Sequence, residues 1–408
     1  MNRRMNRNKL NIGAYYLRDY ARTEQHFKDL ADCGIDFIAA YGEGRDKLDL
    51  FAKYGIGAFL YDACPGWWGG NGDNAGTMKV KNPLSVYDEA AAKFEDHPAI
   101  WGIDIGDEPS ALDFEHYGKV FNKVNTLFPN QFPYLNLYPN YASVSENTAE
   151  QTVSQLGTAT YEEHIERYCS LVPADYICFD YYPYASNIPG FYSNLKVVSD
   201  AARNTGRSMW IVLQVNSNKP EKWISKNMLR FQAFNAMAFG AENIIWACYT
   251  AGWWHNQVID KKGNKTEQYE KLKEINAEIK YLAEKYMAYR RTDTHFVGFV
   301  NSDFAPAKES VKSLSTGAFY NLRASDGAPL TVGEMTPRVP DGSRAVMICP
   351  CDDPYDTSEK QFDIVFSVDS GRTVFAYGGK GKLPVTKLDS GEYSVPAGSN
   401  KGIFIEIR

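Results

Sequence analysis

Residues 99–109 read AIWGIDIGDEP, an apolar run that ends in two acidic residues and a proline. The run is long enough for one buried strand, and an amphipathic stretch follows it. The same order of apolar run, polar loop and amphipathic stretch recurs from residue 9 to about residue 287. This repeat predicts strands that alternate with helices, as in a parallel sheet covered by helices.

The apolar runs predict eight strands, near residues 10–16, 35–41, 55–61, 99–106, 132–138, 175–182, 208–215 and 243–249. Eight parallel strands are the number that closes a TIM barrel. An open sheet that binds a nucleotide needs a glycine-rich turn after its first strand. Residues 15–20 read YYLRDY instead, so we predict a barrel and expect no cofactor.

Helices are predicted between these strands, for example at residues 23–32, 85–96, 161–171, 192–204, 224–239 and 266–287. Beyond residue 287 the helical period disappears, and turn residues separate short apolar runs near 296–300, 345–348, 362–366, 373–377 and 402–407. Such runs are typical of a β-sandwich. We therefore predict a polar tail over residues 1–9, a barrel over 10–288 and a β-sandwich over 289–408.

Composition excludes several classes of protein. The net charge of the 408 residues is −6, so no basic surface for nucleic acid is expected. No apolar run approaches the ~18 residues of a membrane helix. The first nine residues lack the apolar core of a secretory signal, so the protein is cytoplasmic unless a signal was removed, in which case it is periplasmic or extracellular.

The cysteines give no sign of a metal site or a disulfide framework. Their number, seven, is odd, and no two are spaced as CxxC. We interpret Cys349 and Cys351, which flank Pro350, as packing residues.

Acidic residues end two of the predicted strands. Glu108 follows strand four and precedes Pro109, and Asp180 ends strand six. In TIM-barrel enzymes the active site lies at the carboxyl ends of the strands. Two carboxyl groups over one pocket are what glycosidic cleavage needs, because one protonates the leaving oxygen and the other attacks or activates water. Capping of the next helix is the alternative role for Glu108.

Polar and aromatic residues at the other strand ends predict a carbohydrate cleft. Broad indole rings suit the apolar C–H faces of sugars, and amides and carboxylates suit the hydroxyl groups. The predicted substrate-binding residues are Asp107, Asn136, Tyr182, Gln214, Asn216, Trp67, Trp68, Trp253, Trp254 and His255. The paired tryptophans could instead plug the barrel mouth or contact the β domain.

At these residues the sequence resembles the large clan of TIM-barrel glycoside hydrolases that includes β-galactosidases and many endo-glycanases. Members typically carry Asn-Glu-Pro after strand four, with Glu as acid/base, a nucleophilic Glu after strand seven, and often a trailing all-β domain. Residues 107–109 read Asp-Glu-Pro, so the resemblance implies an acid/base role for Glu108. Strand seven ends in Gln214, and an amide cannot be the nucleophile. Asp180, or less directly Glu221, would take that role.

Three functions are compatible with this pattern. The first is a glycoside hydrolase acting on an oligosaccharide or glycoside. The second is a carbohydrate-binding protein on the same scaffold, which lost catalysis with the strand-seven Glu. The third is a metal-dependent hydrolase, which is disfavoured because such sites usually need several histidines and only His255 falls near a predicted strand end.

Overall fold

The computed structural model describes residues 3–42, 44–69, 72–144, 154–300, 304–306 and 310–408. The predicted barrel strands are all present in these ranges, each within two residues of its predicted ends. They are β1 (Asn11–Tyr15), β2 (Phe37–Tyr41), β3 (Gly57–Leu60), β4 (Ile100–Asp107), β5 (Phe132–Asn136), β6 (Tyr176–Tyr181), β7 (Ser208–Gln214) and β8 (Ala241–Ala247).

Helices follow or precede each of these strands. They are α1 (Glu24–Asp32), α2 (Leu48–Lys53), α3 (Met78–Lys81), α4 (Ser85–Ala92), α5 (Phe114–Leu127), α6 (Tyr161–Leu171), α7 (Ile188–Thr205), α8 (Lys226–Ala238) and α9 (Glu267–Tyr286). Short 3-10 helices lie at Asp19–Ala21, Arg45–Lys47 and Ala111–Asp113. Across the described ranges, no helix has both the length and the apolar character needed to cross a membrane.

One predicted helix start was wrong. The helix expected from residue 192 begins at Ile188, because the side chain of Asn187 accepts a hydrogen bond from the Gly190 N–H and Pro189 fits the first turn. At its other end Gly206 adopts a φ of 68°, the left-handed C-cap conformation expected of a glycine there.

The parallel sheet closes into a barrel. Its strand order is β5-β4-β3-β2-β1-β8-β7-β6, and all the paired neighbours run parallel. The remaining gap, between β5 and β6, is bridged just beyond β5, where the Leu137 N–H donates to the Cys178 carbonyl at 2.9 Å and Leu137 pairs with Phe179. The TIM barrel prediction is confirmed.

Aromatic rings fill part of the barrel interior. Phe37 stacks on Phe59 at 4.4 Å, Phe59 meets Phe132 at 5.1 Å, and Phe132 meets Trp210 at 5.3 Å between ring centroids. Gly13 on β1 makes room for them, because a Cβ there would lie 2.3 Å from the Phe37 ring. These packed rings inside the barrel support the carboxyl ends of the strands.

The rest of the chain forms two antiparallel sheets. One has the order β15-β14-β18-β12-β11-β9 and the other β10-β13-β17-β16. Their strands are β9 (Tyr289–Val297), β10 (Phe319–Ala324), β11 (Leu330–Pro337), β12 (Arg344–Pro350), β13 (Gln361–Val368), β14 (Val374–Gly378), β15 (Gly381–Leu383), β16 (Thr386–Lys387), β17 (Tyr393–Gly398) and β18 (Ile403–Ile407). A β-sandwich after the barrel is therefore confirmed.

The strand predicted at 296–300 lies elsewhere. β9 runs from Tyr289 to Val297, directly after α9. Its Arg, Thr, Asp and His side chains gave no apolar pattern, yet it pairs with β11 along its whole length. No run was predicted for β10, β11, β15, β16 or β17, whereas the other four predicted runs coincide with β12, β13, β14 and β18.

The six-stranded sheet is buried on both faces. On β12, Met347 and Cys349 pack with the barrel core, while Val346 and Ile348 pack in the core between the two sheets. This alternation follows from the two-residue period of a strand. Cys351, also a free buried thiol, donates to the Asn235 side chain of α8 at 3.5 Å, so both cysteines pack against that helix.

Candidate active site

The carboxyl ends of β4, β5 and β6 bring three predicted residues together. Asn136, the last residue of β5, donates through Nδ2 to Oδ1 of Asp107 at 3.0 Å and to Oδ1 of Asp180 at 2.8 Å. Since both oxygens lie within 3.0 Å of one nitrogen, they are less than 6 Å apart. Asn136 therefore holds the two carboxyl groups as a pair.

Glu108 joins this pair from the residue after β4. Its backbone N–H donates to the Asn136 carbonyl at 2.8 Å, and Oε2 accepts from the Trp68 indole N–H at 3.1 Å. Its φ is 44°, a left-handed conformation that is unusual for a residue with a side chain. This conformation ends the strand at Glu108 and turns the Glu108 side chain toward Trp68.

Left-handed backbone is concentrated at this end of the barrel. Among the described residues, seven other than glycine have positive φ, and five of these follow or end barrel strands. The five are Tyr16, Ala40, Glu108, Trp254 and Asn256. Strain of this kind is often stored at functional sites, where the surrounding structure holds it in place.

Burial and mutual repulsion raise the pKa values of these acids by different amounts. Burial, followed by repulsion from the Asp180 and Asp107 carboxylates, raises the pKa of Glu108 to about 9. Burial and repulsion from Asp107 raise the pKa of Asp180 to about 8. Burial also raises the pKa of Asp107, but only to about 6, because the Asn136 hydrogen bond stabilises its ionised form. At neutral pH, Glu108 is protonated and the Asp107–Asp180 pair carries one negative charge.

A fourth carboxyl group escaped the sequence prediction. Asp104 lies within β4, and burial, followed by repulsion from Asp107, raises its pKa well above the usual value. The signal was an acidic residue in the middle of an apolar strand. It was available from the sequence but was not singled out.

A cavity of about 480 Å³ opens beside these carboxyl groups. Asp104, Asp107, Trp67 and Trp68 line it, together with residues at or after the carboxyl ends of β1, β2 and β3. Its size is within the range of small-molecule sites, roughly 300–1,000 Å³. Neither Glu108 nor Asp180 lines it. Asp180 is only 2% exposed, and its Oδ2 has no hydrogen-bond partner in the described part of the chain.

Aromatic residues from four strand ends surround the site. Trp68 is 54% exposed. Across the barrel mouth, Tyr182 meets Trp254 at 4.9 Å and Trp253 at 6.1 Å, and Trp253 meets Tyr16 at 5.9 Å between ring centroids. Tyr16 was missed, although it closes the first strand and the strand-end rule would have selected it.

Two tyrosines after β5 are also near the acids but are not among the predicted site residues, although Tyr138 closes the predicted fifth strand. Burial raises the pKa of Tyr138 and of Tyr141, and the charges of Glu108 and Asp180 raise both further. The two phenol groups therefore remain protonated beside the acids and can donate hydrogen bonds.

Gln214 and Asn216 are not brought to the cavity. Both are fully buried. The Gln214 amide accepts from the Tyr184 N–H at 3.1 Å and donates to the Asn216 carbonyl at 2.8 Å, and Asn216 Oδ1 accepts from the Cys248 N–H. The sequence predicts that these amides contact a sugar; in the structure they tie the ends of β6, β7 and β8 together.

The remaining predicted residues lie farther out. His255 has an exposed side chain, and its backbone pairs with Ser217 to join the loops after β7 and β8. Glu221 is exposed in the loop after β7. Within the described ranges, no three His, Cys, Asp or Glu side chains are grouped so that they could hold a metal ion.

Solved structures are similar to this chain at low sequence identity. A cycloisomaltooligosaccharide glucanotransferase from Paenibacillus sp. is 9% identical and has a TM-score of 0.56 over 98% of this chain and 85% of its own. A glucosidase from Croceicoccus marinus has 10% identity and a TM-score of 0.46 over 97% and 95% of the two chains. A glycoside hydrolase family 5 mannosidase from Rhizomucor miehei has 14% identity and a TM-score of 0.42 over 67% and 94%.

A comparison of the sequence with protein-family models and with curated proteins found no match. The likeness to the glucanotransferase, at 9% identity, establishes the barrel and its trailing β domain but not the chemistry.

Proposed function

We propose that this protein is a glycoside hydrolase, with Glu108 as the general acid and Asp180 as the second carboxyl group. One observation carries the proposal: Asn136 joins two carboxyl groups less than 6 Å apart, and Glu108 beside them has a higher pKa than either. Acid/base pairs are recognised by environments that push their pKa values apart.

The reaction uses the two protonation states together. Glu108 gives its proton to the glycosidic oxygen as the bond to the anomeric carbon breaks. Asp180 acts in its ionised form, which its pKa of about 8 makes the minority form at pH 7. It either attacks that carbon or removes a proton from the attacking water. In the first case Glu108, now ionised, removes a proton from the water that releases the sugar from Asp180, and is thereby reprotonated. In the second case Asp180 passes the proton of the water to solvent, and Glu108 regains a proton from solvent.

Asp107 shares the negative charge with Asp180 through Asn136. Because Asp107 has the lower pKa and lines the cavity, it is the competing candidate for the second carboxyl group. The carboxyl groups gathered here disfavour an anionic sugar, so the proposed substrate is a neutral oligosaccharide or glycoside. The indoles of Trp67 and Trp68 would hold its apolar faces, as would Trp253 and Trp254 across the mouth.

The first experiment screens aryl glycosides for hydrolysis by the full chain and follows the anomers of the product by NMR. Glu108→Gln should lower kcat by about 10²–10⁴-fold for substrates with poor leaving groups. The loss should be much smaller for a dinitrophenyl glycoside, whose leaving group needs no proton. Glu115→Gln, on the exposed face of α5, is the matched control and should leave kcat unchanged.

Asp180→Asn and Asp107→Asn separate the two candidates for the second carboxyl group. The variant that loses the catalytic group should be inactive with every leaving group, while the other should keep activity with a shifted pH profile. If Glu108→Gln matches the parent on all substrates, the assignment is wrong. If the parent binds glycans but releases no sugar, the protein is the carbohydrate-binding alternative.

A further inference from the structure

A second cavity, of about 370 Å³, lies at the opposite end of the barrel. It is bordered by the amino-terminal ends of β7 and β8, the end of α7 and strand β9 of the sandwich. It has no lining residue in common with the active-site cavity. Six arginine side chains line it: Arg7, Arg203, Arg207, Arg290, Arg291 and Arg338.

Four of these arginines have carboxylate partners. Two partners line the cavity and two stand behind its wall. The pairs are Arg7 with Asp175, Arg338 with Glu242, Arg203 with Asp200, and Arg291 with Asp200 and Asp293. These ion pairs hold the four arginine side chains in the cavity wall. They also engage all four of these carboxylates, so none of them is left to neutralise another arginine.

The other two arginines have no carboxylate partner among the described residues. Arg207 donates through Nη2 to the carbonyls of Cys169 and Val172, at 2.6 and 3.1 Å, and its buried Nη1 has no hydrogen-bond partner. Arg290 is exposed, and its side chain makes neither an ion pair nor a hydrogen bond within the described ranges. The cavity therefore carries two positive charges that the protein does not neutralise.

We infer that this cavity binds a phosphate group, either inorganic phosphate or the phosphate of an ester. The planar guanidinium fork matches the oxygens of a phosphate. The two unmatched charges also equal the charge of about −1.5 to −2 that a phosphate monoester carries at pH 7. The cavity has room for a small organic group attached to the phosphate, since small-molecule sites begin at about 300 Å³.

This site is independent of the proposed glycosidase activity, because it lies at the other end of the barrel. The test is calorimetric titration of the full chain with sodium phosphate and with glucose 6-phosphate, at constant ionic strength set with sodium chloride. Saturable binding to one site is expected for at least one of the two probes. Tighter binding of glucose 6-phosphate would identify the ester as the ligand, and equal binding would identify the phosphate group itself.

Arg290→Ala is the decisive variant, since an exposed side chain without partners is not needed for folding. It should weaken binding at least about tenfold, and Arg207→Gln should weaken it as well. Arg344→Ala, an exposed arginine at the start of β12, is the matched control and should bind like the parent. The inference is overturned if neither probe binds at millimolar concentration, or if Arg290→Ala binds as tightly as the parent. Glycoside hydrolysis by Arg290→Ala should stay unchanged.

Discussion

Replacement of Asn136 by alanine tests the electrostatics of the site. The side chain donates one hydrogen bond to Asp107 and one to Asp180, and both favour the ionised carboxylates. Asn136→Ala removes both donors and leaves the carboxyl groups buried. The pKa values of both acids should therefore rise.

The structure gives the size of this rise. A hydrogen bond to a charged group contributes about 1.5–3 kcal/mol, and about 1.4 kcal/mol corresponds to one pKa unit. Loss of the bond to Asp107 should raise its pKa from about 6 by roughly 1–2 units. The bond to Asp180 is of the same kind, so the pKa of that acid, about 8, should rise by a similar amount. The acid limb of the pH profile should therefore move upward whichever of the two acids is the second carboxyl group.

The assay is kcat/KM on the best aryl glycoside as a function of pH. In the parent, activity should rise near pH 6 if Asp107 is the second carboxyl group, or near pH 8 if Asp180 is, and fall near pH 9, as Glu108 loses its proton. In Asn136→Ala the activity at pH 6 should fall about tenfold or more, with the alkaline limb less affected.

Asn140→Ala is the control, because that side chain bonds to Ser193 and Gly190 and not to the acids. Thermal unfolding verifies that both variants fold. If Asn136→Ala folds and its acid limb stays at the pH of the parent, the Asn136 amide does not lower the pKa of these acids and the reasoning is refuted.

Three further changes test other parts of the site. Gly69→Ala should lower kcat/KM about a hundredfold, because the new Cβ would lie 1.7 Å from the Glu108 carbonyl oxygen. Gly66→Ala is its control: the new Cβ would have no atom within 4 Å, so the variant should match the parent in the same assay. Trp68→Phe removes the indole donor to Glu108 and should shift the alkaline limb of the pH profile upward by about half a unit, since the acid stays protonated to higher pH. Gln214→Glu places a carboxylate at a fully buried position whose neighbours are already hydrogen-bonded. The variant should have a free energy of unfolding in urea lower by about 3 kcal/mol, and its kcat should not rise.

Local patterns predicted the barrel well, because each strand is a short apolar run and each helix carries a 3.6-residue period. The failures in the β domain have a physical cause. β9 is rich in charged and polar residues, and it is a strand because its backbone pairs with β11 and Arg291 is neutralised by Asp200 of α7. No window of sequence contains those partners.

For the same reason, local sequence indicates which residues end the strands but not which of them touch. Glu108 and Asp180 were singled out as strand-end acids, and Asn136 as a polar strand end. That Asn136 links Asp107 to Asp180 depends on β5 lying between β4 and β6, which is a property of the closed barrel.

The chain order of apolar runs and turns determined a barrel, a trailing β domain and the set of acids at the strand ends, because those features depend on neighbours within a few residues. Tertiary structure alone decided which acids meet, which amides are buried, and that six arginines from separate segments line one cavity. The pKa of a carboxyl group depends on burial and on charges a few ångströms away, and residues distant in sequence supply both.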